Sequence, residues 1–146
     1  MRILIQNRQR KFKVDRHRVL RWARKVLVFQ KCAGAELGIV FVNDRRIRIY
    51  NRDYRGKDKP TDVLAFSMRE GVGGDFHPSL IGDVMISLER SAEEAALYGR
   101  LKNEQLLILL IHGILHLLGY DHERSPEEAR RMERRERFLM KKLWKG

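Results

Sequence analysis

The sequence has a single cysteine, only three prolines and no apolar run long enough to span a membrane. Cys32 cannot form an internal disulfide by itself, which favours a protein of the reducing cytoplasm. The apolar run at the N-terminus is too short for a secretion signal, and two histidines interrupt the longest run, residues 106–118. We therefore expect a cytoplasmic protein that folds as one domain over residues 1–146.

Acidic residues are also scarce relative to basic ones. The chain has 31 lysines and arginines against 19 aspartates and glutamates, a net charge of +12. The basic run at residues 130–145 is interleaved with glutamates, which is typical of a solvated helix face, whereas the run at residues 45–59 contains few acids. This distribution favours nucleic acid as the partner, with an anionic membrane as the second choice.

Three histidines lie within eleven residues, at His112, His116 and His122. The first two are four residues apart in an apolar run that is typical of a helix, where such side chains share one face. Gly119 can end the helix in the left-handed conformation, so that His122 returns towards the other two. Three imidazoles with a fourth position open for water are typical of a catalytic zinc site, although a single histidine on an apolar helix is more often a core residue.

The residue after the first histidine decides which chemistry such a site can perform. The spacing resembles the zinc motif of metzincin proteases, which carry a glutamate there as the general base for peptide hydrolysis. This chain has Gly113 at that position. A peptidase built on this motif would lack its base.

Hydrophobic periodicity predicts helices and about four strands in a small α+β domain, with a mixed sheet packed against the helices. Asp15, Asn43 and the Ser125-Pro126 pair are predicted to begin helices, and Ser91 is predicted to begin another through a capping box with Glu94. Residues 71–78 are predicted to form a mobile glycine-rich loop. Strands are predicted at residues 1–6, 36–42, 63–67 and 83–88, and helices at residues 16 to about 30, from 44, and at about 91–98, 102–118 and 126–145.

At the level of whole motifs, the chain resembles the YbeY-type bacterial metallo-endoribonucleases. The resemblance lies in residues 51–66, which contain the basic loop before Pro60, in residues 81–87, and in residues 112–122 with glycine after the first histidine. It implies that His112, His116 and His122 bind one zinc ion per chain and that Arg55 is the functional arginine. An arginine can bind phosphate oxygens through two parallel hydrogen bonds, although a loop arginine is usually only a solvated side chain.

The same resemblance implies a zinc-dependent endoribonuclease that prefers single strands and matures the 3′ end of 16S ribosomal RNA, with a part in ribosome quality control. The expected partners are ribosomal RNA precursors and components of the small ribosomal subunit, with no membrane. Two alternatives stay open: a metal-stabilised RNA- or ribosome-binding assembly factor with little catalysis, and a minimal metallopeptidase, which Gly113 and the positive charge oppose.

Overall fold

Four strands and five helices form within residues 1–68 and 79–146, the part of the chain that the computed structural model describes. The predicted glycine-rich loop at residues 71–78 lies outside the described residues. In chain order the elements are β1 (Arg2–Asn7), α1 (Arg16–Phe29), β2 (Glu36–Val42), α2 (Asp44–Arg55), β3 (Val63–Ser67), β4 (Leu80–Ser87), α3 (Leu88–Tyr98), α4 (Lys102–Leu117) and α5 (Pro126–Leu143).

The four strands form one mixed sheet in the order β1-β2-β4-β3. β1, β2 and β4 run parallel, while β3 pairs antiparallel with β4, with Val63 opposite Ile86. β3 is therefore an edge strand of the sheet. This architecture confirms the predicted α+β class with a mixed sheet of four strands.

Alternating residues of the strands divide the core between the two faces of the sheet, as the period of two in a strand requires. One face carries Ile39 and Val84 into the main core, which contains residues of α1, α4 and α5. The opposite face carries Leu64 and Met85, which pack with Ile47 of α2. The sheet thus separates α2 from the helix that bears His112 and His116.

Three of the predicted helix starts are confirmed by hydrogen bonds from backbone amides to side-chain oxygens. Each cap accepts from the amide three residues later, at 3.1 Å for Asp15, 2.9 Å for Asn43 and 3.1 Å for Ser125. Such caps satisfy amides that have no partner within the helix. None of the helices in residues 1–68 and 79–146 has the length and apolar character needed to cross a membrane.

The predicted start of the third helix at Ser91 is wrong. α3 begins at Leu88, and Ser91 is buried within it. The N-cap is Ser87, whose hydroxyl accepts from the Arg90 amide at 3.2 Å and donates to the Asp44 carboxylate at 2.7 Å. This contact joins the start of α3 to the start of α2.

Candidate metal centre

The two histidines of α4 and the one that follows it lie together at one end of the helix. The centroids of the three imidazole rings are 4.9–5.1 Å apart. One nitrogen from each ring lies within 4.8 Å of the others, and His116 Nε2 is 3.1 Å from His122 Nδ1. The predicted cluster of three imidazoles therefore forms.

The turn after α4 brings His122 back to the helix. Gly119 has φ +98°, a left-handed conformation that side chains other than glycine rarely adopt, and the Tyr120 amide donates to the Leu115 carbonyl at 3.0 Å. The Asp121 carboxylate then accepts from the Glu123 amide at 2.8 Å, and this bond holds the pKa of Asp121 below its ordinary value. Asp121 therefore fixes the turn that carries His122.

Glu136 of α5 contacts the first histidine of the cluster, His112. Its Oε2 atom lies 3.2 Å from His112 Nδ1, and about a quarter of each side chain is exposed. An ionised carboxylate only accepts hydrogen bonds, so Nδ1 carries the proton, and in the neutral ring Nε2 then keeps its lone pair. Glu136 thus favours the His112 tautomer in which Nε2 can bind a metal ion.

The environment of His116 favours the uncharged ring. Burial lowers the pKa of His116, and the neighbouring His112 and His122 lower it further. Metal ions bind neutral imidazole, so this shift favours a ligand role.

One distance within the cluster matches that between two ligands of a tetrahedral ion such as zinc. Bonds of about 2.0–2.1 Å from zinc to nitrogen place two ligand atoms about 3.3 Å apart, close to the 3.1 Å between His116 and His122. Within the described residues the cluster has three members, so a tetrahedral ion would keep its fourth position for substrate or solvent.

Gly113 lies where α4 packs closely against the sheet. A Cβ atom built there would be 2.6 Å from Cγ1 of Val84 and 3.2 Å from Cγ2 of Val63, and Val84 is fully buried. A side chain at this position would require the Val84 side chain to move. Packing against the sheet therefore also disfavours the glutamate that a protease would carry at this position.

A cleft of about 840 Å³ lies between the histidine cluster and the edge strand β3. It is lined by Arg55 on one side, by residues of β3, and by the three histidines. Asp121 and Glu123 add carboxylates to the histidine side of the cleft. The cleft is large enough for a nucleotide segment and combines a basic side chain with the cluster of imidazoles.

Arg55 is the last residue of α2, and hydrogen bonds to Asn51 hold the loop that follows it. Gly56, with φ +70°, ends the helix. Asn51 is buried; its carbonyl accepts from the Lys57 amide at 3.2 Å and its side-chain amide donates to the Lys59 carbonyl at 2.9 Å. Asn51 therefore ties the basic loop to the helix and fixes the backbone beside Arg55.

Comparison with known proteins identifies the family of this chain. The profile of the family described as Endoribonuclease YbeY matches residues 4–144. The chain belongs to this family. Among its relatives, Endoribonuclease YbeY of Syntrophotalea carbinolica is 44% identical, over 97% of this chain and 95% of the relative. Endoribonuclease YbeY of Geobacter sulfurreducens is also 44% identical, over 100% of this chain and 98% of the relative.

A solution structure of a Thermotoga maritima protein shares the fold. It superposes with a TM-score of 0.65 at 26% sequence identity, over 97% of this chain and 89% of that one. The motifs that resemble the YbeY family thus occur in a chain that matches the family along nearly its whole length.

All four residues singled out from the sequence of this YbeY-family chain, Arg55 and the three histidines, line the same cleft. Sequence reasoning missed Glu136 as a partner of His112. It occurs in a charged run that is typical of a solvated helix face, and only the packing of α5 against α4 reveals the contact. No local signal in the sequence distinguishes it from the other glutamates of that helix.

Proposed function

We propose that this protein is a zinc-dependent endoribonuclease that cleaves single-stranded RNA in the maturation of ribosomal RNA. The observation that carries the proposal is the cleft in which three imidazoles and Arg55 lie together, in a chain of the endoribonuclease YbeY family. His112, His116 and His122 would bind one zinc ion per chain, and residues 1–146 would act as one catalytic domain.

The chain's own residues prepare the site for a metal. Glu136 orients His112, and the lowered pKa of His116 keeps that ring unprotonated near neutral pH. Zinc, when bound, would act as a Lewis acid on the scissile phosphate and would lower the pKa of a coordinated water towards about 7.

Arg55 is the proposed phosphate-binding residue. It is exposed and lines the cleft together with the histidines, at the end of a helix whose following loop is held by a hydrogen bond from Asn51. A guanidinium can donate two parallel hydrogen bonds to a phosphate, which lysine cannot do. Arg55 would hold the scissile phosphodiester and stabilise the negative charge that grows on it during cleavage.

Two features support RNA rather than peptide as the substrate. Gly113 removes the general base of a peptidase, and restoring one would require the Val84 side chain to move. The net charge of +12 attracts a polyanion. The family resemblance further points to the 3′ end of 16S ribosomal RNA, to small-subunit components as partners, to a part in ribosome quality control and to a cytoplasmic location.

The proposal is tested with Arg55→Lys, using Arg45→Lys as the matched control, since Arg45 is exposed on the same helix outside the cleft. Cleavage of an unstructured RNA, zinc content and thermal unfolding are measured on each protein. We expect Arg55→Lys to lose at least about tenfold in cleavage rate, about 1.4 kcal/mol in transition-state stabilisation, with zinc and stability unchanged.

Cleavage by Arg55→Lys at the wild-type rate would remove Arg55 from the proposed machinery. If the wild-type protein binds RNA but does not cleave it, with zinc bound, the chain would instead be a metal-stabilised RNA-binding assembly factor.

A further inference from the structure

A second cavity, of about 370 Å³, lies beside the cleft on the face of the sheet that α2 covers. Tyr54 and Phe66 line both cavities, so the two are neighbours that share a wall. Tyr54 also immediately precedes Arg55 in the chain. A strand of nucleic acid that passes Arg55 would therefore meet the second cavity.

The shared wall is an aromatic cluster whose outermost ring is fixed in place. The Tyr54 ring lies nearly parallel to Tyr50, at 8° with 6.0 Å between centroids, and contacts Phe66 edge to face at 5.3 Å. Tyr54 is nevertheless 69% exposed, whereas Tyr50 and Phe66 are half-buried against the core. An exposed ring held by two others can stack on a ligand with little further loss of side-chain freedom.

The charges in the second cavity favour an anion. Arg8, beyond the end of β1, and Arg46, on α2, both line it and are exposed. Within the described residues neither guanidinium has an ion-pair partner; Arg8 Nε donates only to the neutral side chain of Gln6, at 3.2 Å. Among the described residues of the lining, Asp83 is the one carboxylate, so the two arginines leave these residues with a net positive charge.

We propose that this second cavity is a nucleotide subsite for the RNA strand, in which one base stacks on Tyr54 and the adjoining phosphate is held by Arg8 and Arg46. Aromatic rings combined with guanidinium groups are the usual means of binding single strands, because every base offers a face for stacking. Asp83 can accept a hydrogen bond from the amino group of a base. The subsite rests on the proposed ribonuclease function and would place the strand so that the next phosphate reaches Arg55.

Binding of a fluorescein-labelled single-stranded RNA decamer to the zinc-loaded protein tests the subsite, by fluorescence anisotropy at low temperature with the probe checked for integrity afterwards. We expect Tyr54→Ala to weaken binding about tenfold, whereas Tyr54→Phe, which keeps the ring, stays within twofold of wild type. Thermal unfolding of each variant controls for folding.

An abasic decamer with the same backbone separates stacking from phosphate contacts. The wild-type protein should bind it about tenfold more weakly than the normal decamer, and the difference between the two probes should be much smaller in Tyr54→Ala. Arg46→Ala should lower the salt dependence of binding by about one unit of slope, which the neighbouring Arg45→Ala, outside the cavity, should not do.

Wild-type affinity in Tyr54→Ala, or equal effects of Arg46→Ala and Arg45→Ala, would overturn the subsite. The readout does not depend on cleavage. If the variants bind as expected and no protein cleaves RNA, the subsite stands and the proposed catalysis fails. If the wild-type protein cleaves RNA and Tyr54→Ala binds RNA as tightly as wild type, the catalysis stands and the subsite fails.

Discussion

Replacing Glu136 tests whether the carboxylate behind His112 prepares the metal site. Glu136→Gln keeps an oxygen acceptor but removes the charge that holds the proton on Nδ1. Carboxylate partners of ligating histidines typically contribute 10- to 100-fold in metal affinity. The 3.2 Å contact is longer than an ideal charge-assisted hydrogen bond, and both side chains are about a quarter exposed. We therefore expect the lower end of that range, about tenfold, or about 1.4 kcal/mol.

The assay is competition for zinc between the protein and a chromophoric chelator at one fixed pH. Glu133→Gln is the matched control, because it makes the same change of charge one turn earlier on α5 at an exposed position. Equal zinc dissociation constants for the two variants would refute the reasoning and return Glu136 to the class of surface glutamates.

Three further predictions concern packing, pH and salt. Gly113→Ala should lower the free energy of unfolding by about 1–2 kcal/mol in urea titrations, because overpacking against Val84 exceeds the gain in helix propensity, whereas Gly34→Ala, with open space around it, should not. Burial and the nearby Asp62 raise the pKa of Glu94 from 4.5 to about 7, so the folded state binds more protons in this window and its stability falls as pH rises through it. Urea titrations across that range should show this decline in wild type and a smaller one in Glu94→Gln. Binding of single-stranded RNA should weaken at least about tenfold between 50 and 200 mM salt, and a flat dependence would argue against phosphate contacts.

Strands and helices that carry their own start and stop signals could be predicted from the sequence. β2 and β3 have the predicted bounds, and Asp15, Asn43 and Ser125 cap helices as expected. These signals are local: alternation of apolar residues, a capping oxygen and the turn residues beside them act within a few positions of the chain.

Features that depend on distant contacts could not be predicted in this way. α3 begins three residues before the predicted Ser91, after the cap Ser87, which also bonds to Asp44 of α2. β4 begins before the predicted residue 83 and continues through Gly82, where a Cβ would be 2.1 Å from the Phe66 carbonyl oxygen. A glycine that usually interrupts a strand here permits close pairing with its neighbour.

The residues of the candidate site also divide into those that nearby sequence predicts and those that depend on distant contacts. His112, His116 and His122 are close in sequence, so helix geometry and one glycine turn suffice to bring them together. Arg55 and Glu136 come from other elements. The resemblance to a family pointed to Arg55, whereas Glu136 had no such pointer and became visible only in the packed structure.

Titration of zinc into metal-free protein, with the initial rate of RNA cleavage followed at each addition, tests the central claim most directly. We expect no cleavage without metal, a linear rise, and a plateau at one zinc per chain, with no comparable rise in His116→Ala because two imidazoles make a poor tetrahedral site. Full cleavage by the metal-free protein, or the same titration curve in His116→Ala, would contradict it.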